Sequence, residues 1–241
     1  MISARDAMTP LLEGLVPVPA VPQVGVCRLC HSSVDESFTV CSPCNSARSI
    51  GAQEVLTITM EIRAGLVHDH LRNYKDGPSQ LVRDRFGLRL AGLLASFTTI
   101  HHKCIGDWDL VTCVPSVSRT ALASVVTRIG SLTGDYRQVI SATPGKSPRT
   151  LDADRFRVTE EVRGRRILLL DDTFTSGAAI YSACAALSGA GAEVVGPVVI
   201  GRFVDRSWPP SEALLSWLEP REWDETRCAR CDGELRGGKL L

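Results

Sequence analysis

The stretch that decides the fold runs from Ile167 to Ala179 and reads ILLLDDTFTSGAA. Four apolar residues in a row are typical of a buried strand, and the small residues from Gly177 onward begin a helical pattern. The acids, hydroxyls and glycine of residues 171–177 therefore join the carboxyl end of a strand to the start of a helix. In a parallel sheet, ligands bind at loops of this kind.

The backbone and side chains of this loop favour a phosphate monoester as ligand. The first amides of a helix have no partner within the helix, and the helix dipole attracts an anion. Hydroxyl groups add donors, and a glycine lets the backbone approach the ligand closely. The candidate phosphate-binding residues are Thr173, Phe174, Thr175, Ser176 and Gly177.

Two carboxylates, Asp171 and Asp172, directly precede these residues. They would repel a phosphate that they faced, so we expect them to contact either sugar hydroxyls or a magnesium ion beside it. A sugar phosphate satisfies both halves of the motif. Three other interpretations compete: a receiver-type acidic pocket, a plain capped turn, and a Walker B strand. The Walker interpretation lacks its P-loop, because Ile140 stands where the glycine before Gly145-Lys146-Ser147 is required.

The middle of the chain alternates between strand and helix patterns. Strands are predicted over Asp109–Val114, Arg166–Leu170 and Val194–Ile200, the last bent or at an edge because of Gly196 and Pro197. Helices are predicted over Gln80–Ser96, Thr120–Ile129 and Gly177–Ser188. The apolar face of the first helix is assigned to Leu81, Val82, Phe86, Leu88, Leu90, Leu93 and Leu94. This alternation predicts an α/β fold with a mainly parallel sheet.

The composition of the 241-residue chain is that of a globular protein, with 44% hydrophobic and 22% charged residues. Basic and acidic residues balance at 27 each, so no overall field attracts nucleic acid or a membrane. No apolar run reaches the ~18 residues of a membrane-spanning helix. Prolines interrupt Leu11–Val26 and no cationic leader precedes it, so we expect a mobile or loosely packed arm, no signal peptide, and a cytoplasmic protein.

Six of the nine cysteines form three CxxC pairs, which is the spacing of metal ligands. The first two pairs predict a closed, structural zinc site in a small appendage, with the ligands Cys27, Cys30, Cys41 and Cys44. His31 is expected to face solvent rather than to act as a spare ligand. Apolar neighbours suggest that three further cysteines are small buried hydrophobes: Cys104, Cys113 and Cys184.

The third pair, Cys228 and Cys231, leaves three alternatives open. It can share an ion with the N-terminal cysteines, or it can bind a second ion together with ligands that the sequence does not identify. It can also bind no ion. For the first ion, the contiguous set of four cysteines is the preferred assignment.

Residues Ile167–Gly177 resemble the phosphoribosyltransferase signature of four apolar residues, two acids and a Thr-Thr-Gly-like turn. Ser176 replaces the second threonine, and Ala179 stands where the family often has another. The resemblance implies a type I phosphoribosyltransferase fold whose loop holds the 5-phosphate of phosphoribosyl pyrophosphate (PRPP). It also implies that Asp171 and Asp172 are the catalytic acids and lie against the ribose hydroxyls.

A second loop, Val114–Arg119, follows the first predicted strand. In phosphoribosyltransferases a loop after an early strand contacts the pyrophosphate, so the resemblance gives this role to Ser116 and Arg119; the alternative is a simple helix cap. The basic segment Arg137–Arg163 is either a solvated loop or a mobile cover for the pyrophosphate. The candidate residues of the cover are Lys146, Arg149, Arg155 and Arg157.

A zinc knuckle followed by a PRPP-type domain resembles the ComF family of competence-associated phosphoribosyltransferase-like proteins. Leu71–Gly77 (LRNYKDG) looks like that family's segment before a helix, whereas the family's Arg-Gly-Phe-Asn-Gln stretch is absent, with Thr120–Ser124 in its place. The resemblance implies a bacterial protein, sometimes linked to DNA uptake. We expect an arm and zinc knuckle in residues 1–50, a phosphoribosyltransferase-like domain in 51–205 and a tail in 206–241.

The resemblance implies an enzyme that binds PRPP with Mg²⁺ and transfers phosphoribose to an unidentified nitrogenous acceptor, with release of pyrophosphate. The alternative is a non-catalytic module that binds PRPP, a nucleotide or a DNA end, with DNA or a competence protein as partner. The balanced charge argues against strong binding of duplex DNA. A homodimer stays open, and no membrane association is expected.

Overall fold

A four-stranded parallel sheet forms the centre of the computed structural model, which describes residues 4–116, 121–147 and 149–231. Its strands are β1 (Leu56–Ile62), β2 (Leu110–Cys113), β5 (Arg166–Phe174) and β6 (Glu193–Val204), and their spatial order is β1-β6-β5-β2. A separate antiparallel pair consists of β3 (Ile140–Ala142) and β4 (Phe156–Val158). The predicted α/β class with a mainly parallel sheet is confirmed.

Helices cover the sheet. They are α1 (Ala4–Leu12), α2 (Ser42–Ala47), α3 (Leu66–Asp76), α4 (Gln80–Ile100), α5 (His102–Ile105), α6 (Ala121–Val126), α7 (Gly130–Thr133), α8 (Ala178–Gly189) and α9 (Pro209–Leu218). None of those in the described ranges combines the length and the apolar character that crossing a membrane requires. In α4 the predicted apolar face is wrong at two positions, because Leu81 and Leu88 are exposed.

Strand β5 is longer than predicted and includes both acids. The prediction ended it at Leu170, but Thr173 and Phe174 still pair with Gly201 and Arg202 of β6. The neighbouring strand extends β5, since the hydrogen bonds come from β6 rather than from local sequence. The acids therefore lie on a rigid strand end, and the loop proper is shortened to residues 175–177.

Strand β6 lies inside the sheet, between β1 and β5, so the predicted edge position is wrong. The predicted irregularity is present, because the register with β5 shifts between Ile167 and Leu168, opposite Val194 and Gly196. Only glycine fits at position 196 without a shift of its neighbours, since a Cβ there would lie 2.6 Å from the Ile105 side chain.

The N-terminal arm is not loosely packed, contrary to the prediction. Helix α1 packs on α4, and Met8 and Leu11 are fully buried in the main core. Beyond the helix, the Met60 amide of β1 donates to the Val16 carbonyl at 3.0 Å. The prolines exclude a long helix, but they leave the chain free to run extended beside β1.

Candidate functional site

Two loops meet at one edge of the sheet, as expected for adjacent parallel strands. Cys113 of β2 pairs with Leu170 of β5, and the Val114 amide donates to the Leu170 carbonyl at 2.8 Å. Ser116 is exposed just beyond this pair, and Asp171 follows Leu170 on β5. Arg119, the second predicted pyrophosphate ligand, lies outside the described residues.

The loop between β5 and α8 leaves its amides free. Among the described residues, no protein group accepts a hydrogen bond from the backbone amides of Thr175, Ser176 or Gly177. The side chains of Thr175 and Ser176 are exposed. Gly177 has a φ of 78°, and a Cβ there would lie 2.5 Å from the Phe174 ring, so this position requires glycine.

Arg202, which was not predicted as a site residue, supports this loop from beneath. Its Nη1 donates to the carbonyls of Phe174 and Thr175, both at 3.1 Å, and its guanidinium lies 4.8 Å from the Phe174 ring centroid. In a planar trans peptide the N–H points opposite to the C=O. The amides of Thr175 and Ser176 therefore point away from Arg202. The Phe174 side chain is buried, so only its backbone can take part in binding.

The two acids have different partners. Asp172 accepts hydrogen bonds from the Tyr74 hydroxyl and from the Lys75 ammonium group, the latter at 2.7 Å. Asp171 accepts the Asp172 amide at 2.9 Å through Oδ1, and its Oδ2 has no partner among the described residues. Tyr74 and Lys75 come from α3 and were not predicted as site residues. Asp171 is therefore the acid with the freer oxygen.

A third carboxyl group, that of Glu61 on β1, interacts electrostatically with Lys75, the partner of Asp172. It is 3% exposed, and its Oε1 lies 2.8 Å from His68 Nδ1. Its Oε2 has no hydrogen-bond partner among the described residues, and burial raises the pKa of this carboxyl. Three carboxyl groups beside the free amides of residues 175–177 favour a ligand that carries hydroxyl groups or a cation in addition to an anionic group.

Burial, reinforced by the carboxylate of Asp172, raises the pKa of Asp171 to about 8. The unfolded chain loses this proton near pH 4, whereas the folded chain keeps it. The free energy of unfolding should therefore fall as pH rises from about 4 to about 8. Asp171→Asn removes this titrating group. As pH rises from 5 to 9, the free energy of unfolding of the variant, measured in urea, should therefore increase by about 1–3 kcal/mol relative to that of the wild type. An Asp154→Asn control, at an exposed site, should show no such gain; a parallel pH profile for Asp171→Asn would contradict the assignment.

The basic segment before β5 forms a small flap rather than an open loop. β3 and β4 pair within it, and Lys146 forms an ion pair with Asp152 at 2.8 Å. Arg149 and Arg157 are exposed, whereas Arg155 is 9% exposed and packs on the Phe156 ring. Of the four candidates, Arg155 is the one whose pKa depends on Asp171. Burial lowers the pKa of the Arg155 guanidinium, and the negative charge of Asp171 opposes this effect.

The four N-terminal cysteines converge, as the contiguous assignment predicts. The Sγ atoms of this N-terminal quartet (Cys27, Cys30, Cys41 and Cys44) lie within 4.8 Å of one another. Cys30 and Cys41 are 3.7 Å apart, close to the edge of about 3.8 Å expected for a tetrahedron with Zn–S bonds of about 2.3 Å. Hydrogen bonds from the other three thiols lower the pKa of Cys27 far below its ordinary range. The quartet could therefore hold a zinc ion.

The N-terminal quartet packs directly against α8. Cys44 Sγ lies 3.2 Å from the Tyr181 hydroxyl of α8, and the Tyr181 ring meets Phe174 edge-on at 5.6 Å. His31 does not face solvent, contrary to the prediction: it is fully buried, with Nε2 3.5 Å from Glu54 Oε1. Neither nitrogen of the His31 ring has a hydrogen-bond partner among the described residues.

The third cysteine pair does not join this quartet. Cys228 and Cys231 lie instead with His101 and Cys104, which excludes the shared-ion alternative in this structure. Cys113 and Cys184 are buried, as predicted. Cys104 was wrongly interpreted as a simple buried hydrophobe, because its Sγ is 2.8 Å from that of Cys231.

A cavity of about 1000 Å³ lies away from the sheet edge, between the N-terminal arm and the C-terminal segment. Pro17, Trp217 and Trp223 are among its lining residues, and its charged side chains are mostly acidic. No glycine is among its lining residues. Its volume is large, but its chemistry disfavours a phosphate ligand.

Two solved structures are similar to part of the chain. The first is the Mycobacterium tuberculosis H37Rv orotate phosphoribosyltransferase in complex with Fe(III) dicitrate, 20% identical over 54% of this chain and 68% of that one, with a TM-score of 0.29. The second is a Corynebacterium diphtheriae phosphoribosyltransferase, 20% identical over 56% and 71%, with a TM-score of 0.27. No family model and no curated protein matches the chain. Similarity at this level assigns no activity to the chain.

Proposed function

We propose that the chain is a phosphoribosyltransferase that binds PRPP at the edge formed by β5 and α8 and transfers its phosphoribose to a nitrogen acceptor. The observation that carries this proposal is the set of amides at Thr175, Ser176 and Gly177, which have no acceptor among the described residues and of which Arg202 turns the first two outward. They suit the 5-phosphate. The free Oδ2 of Asp171 beside them suits a ribose hydroxyl.

The reaction needs positioning and charge stabilisation rather than a side-chain nucleophile. The bond between C1 and the pyrophosphate oxygen breaks, and its electron pair leaves with pyrophosphate. The acceptor nitrogen forms the new bond to C1 and gives its proton to solvent. The carboxylate of Asp172 would favour the positive charge that develops on the ribose, Asp171 would hold a ribose hydroxyl, and Ser116 is the residue to which we assign the pyrophosphate contact. Mg²⁺ would neutralise pyrophosphate charge when it accompanies the substrate.

Lys75 extends this assignment. Its ammonium group is held at the edge by Asp172, at 2.7 Å, and its side chain is about one quarter exposed. A cation in this position can meet a pyrophosphate oxygen without leaving the carboxylate. The ion pair therefore both orients Asp172 and offsets the negative charge of the acids.

A second candidate function is non-catalytic binding of PRPP, a nucleotide or a DNA 5′-phosphate, as in a competence-related regulatory module. The contacts of Asp172 favour it, because both oxygens already have protein partners, Tyr74 and Lys75. An acid held in this way contributes to the shape of the site and has less capacity to stabilise a transition state.

The test is binding of PRPP–Mg²⁺ by calorimetry, followed by pyrophosphate release in the presence of a panel of nitrogenous bases. We expect saturable binding that Thr175→Ala weakens about 10- to 100-fold, because a hydrogen bond to a charged phosphate is lost. Thr226→Ala, at an exposed threonine of the C-terminal segment, is the matched control and should bind as the wild type does.

Three results separate the candidates. Pyrophosphate release with at least one base supports the transferase. Saturable PRPP binding without release from any base supports the non-catalytic module. Equal affinity of Thr175→Ala and Thr226→Ala contradicts the contact assigned to the Thr175 hydroxyl, and no binding of PRPP at all contradicts the phosphate assignment itself.

A further inference from the structure

We infer that His101, Cys104, Cys228 and Cys231 form a second zinc site. In this C-terminal quartet, one nitrogen and three sulfur ligand atoms lie within 4.8 Å of one another. His101 and Cys104 come from the junction of α4 and α5, and the other two from the last described segment. His101 and Cys231 are 130 residues apart in sequence, so an ion here would join two distant parts of the chain.

Both halves of the C-terminal quartet have the local geometry of ligand pairs. Each is separated by two residues, as His-x2-Cys and Cys-x2-Cys, which lets a tight turn aim both side chains at one point. The Cys231 amide donates to Cys228 Sγ at 3.4 Å. The N-terminal quartet has the same kind of bond, from the Cys41 amide to Cys27 Sγ at 3.3 Å.

The orientation of His101 is that of a metal ligand. Its Nε2 donates to the Glu225 carbonyl at 3.0 Å, which leaves the lone pair on Nδ1, 3.3 Å from Cys231 Sγ. Metal-bound histidines characteristically donate their other ring nitrogen to a carbonyl or carboxylate. The ring is 1% exposed and packs on Phe97, with centroids 4.7 Å apart, so it is held in this position.

The distances fit a tetrahedral ion after one small shift. Zinc with three sulfurs and one nitrogen gives edges of about 3.8 Å between sulfurs and about 3.6 Å between nitrogen and sulfur. Cys228 and Cys231 are 3.4 Å apart, and Cys104 and Cys231 are 2.8 Å apart. The distance between Cys104 and Cys231 exceeds the S–S bond length of a disulfide, which is about 2.05 Å, and all these cysteines are free thiols. Entry of the ion requires Cys104 Sγ to retreat by about 1 Å.

The surroundings suit the charge of such a site. Zinc with three thiolates and a neutral imidazole has one net negative charge. Arg230, between the two C-terminal cysteines, donates to the Cys104 carbonyl and, at 2.7 Å, to Glu54. Nearby, the Trp223 indole donates to the Ile58 carbonyl of β1 at 3.1 Å. The ion would therefore hold the C-terminal segment on the α/β domain.

The experiment measures zinc in the full chain, purified without chelators, by elemental mass spectrometry and by X-ray absorption at the zinc edge. We expect about two zinc ions per wild-type chain, with an average of about 3.5 sulfur and 0.5 nitrogen ligands per ion. Cys228→Ser with Cys231→Ser, or His101→Ala alone, should leave about one ion with sulfur ligands only. His101→Cys should keep both ions and raise the average to about 4 sulfurs.

Cys184→Ala is the control, because Cys184 is a buried cysteine outside both quartets, and this variant should keep about two ions. One ion per wild-type chain with sulfur ligands only, or two ions with no nitrogen ligand, would overturn the inference. A disulfide within the C-terminal quartet, detected by intact mass under non-reducing conditions, would overturn it as well. If the serine variant fails to fold, the wild-type stoichiometry and absorption spectrum still decide.

Discussion

Replacing Cys27 and Cys30 with serine is expected to release the ion of the N-terminal quartet and to destabilise the whole chain. Structural zinc contributes on the order of 10 kcal/mol of apparent binding free energy, and much of this is folding free energy. Even if half is recovered by local rearrangement, a loss of about 5 kcal/mol lowers the Tm of a chain this size by about 10–20 °C. Scanning calorimetry with zinc analysis measures both effects.

The same variant should also weaken ligand binding, although no cysteine of the N-terminal quartet lies in the phosphate loop. The physical connection runs from Cys44 to the Tyr181 hydroxyl, then through the Tyr181 and Phe174 rings to Arg202. When the ion leaves, the N-terminal quartet no longer holds Tyr181, and the support of the loop loosens. We expect PRPP affinity to fall at least about tenfold, equivalent to about 1.4 kcal/mol.

Cys184→Ala is the matched control for this result, because Cys184 is a buried cysteine of α8 that belongs to neither quartet. It should keep its zinc content and its affinity for PRPP. Full zinc content in the Cys27→Ser, Cys30→Ser variant would show that the N-terminal quartet is not a metal site. Loss of zinc with unchanged PRPP affinity would show that the proposed connection through Tyr181 does not operate.

The parts of the site that could be predicted are those whose partners are close in sequence. The segment from Ile167 to Gly177 carries its strand, turn and helix signals without interruption, and the structure places β5 and α8 there. The N-terminal quartet is equally local, because one tight turn brings each CxxC pair to a point. In both cases the spacing alone determines the geometry.

The parts that were missed depend on pairings across the chain. Tyr74 and Lys75 reach Asp172 over 98 and 97 residues, and no local pattern indicates that contact. The local sequence around His101 does not indicate a metal ligand, because its partner Cys231 is 130 residues away in the chain. Arg202 carried the clearest unused signal, because a basic residue within an apolar strand needs a buried partner. The β1 segment 56–62 alternates apolar and polar residues, and this period-two pattern also indicates a strand.

Arg202→Met is expected to disorganise the phosphate loop while keeping much of the side chain's apolar volume. Arg202 is 7% exposed, and its donors hold the carbonyls of Phe174 and Thr175. Without them these carbonyls lose partners in a buried setting, at a cost of about 2–4 kcal/mol in the free energy of unfolding. The peptides can then rotate, and the amides of the loop no longer converge.

PRPP affinity should therefore fall about 100-fold or more in Arg202→Met, since several amide contacts depend on one guanidinium. Arg202→Lys should recover part of the affinity, because an ammonium group can still donate to these carbonyls but lacks the rigid guanidinium plane that fixes Nη1 between both. Arg165→Met, at an exposed arginine, controls for the loss of a positive charge and should bind normally. Hydrogen exchange separates the possible causes: faster exchange at β5 and the start of α8 in Arg202→Met indicates loss of support. If exchange and affinity both match the wild type, Arg202 does not organise the loop, and the outward direction of its amides must arise from the Gly177 turn alone.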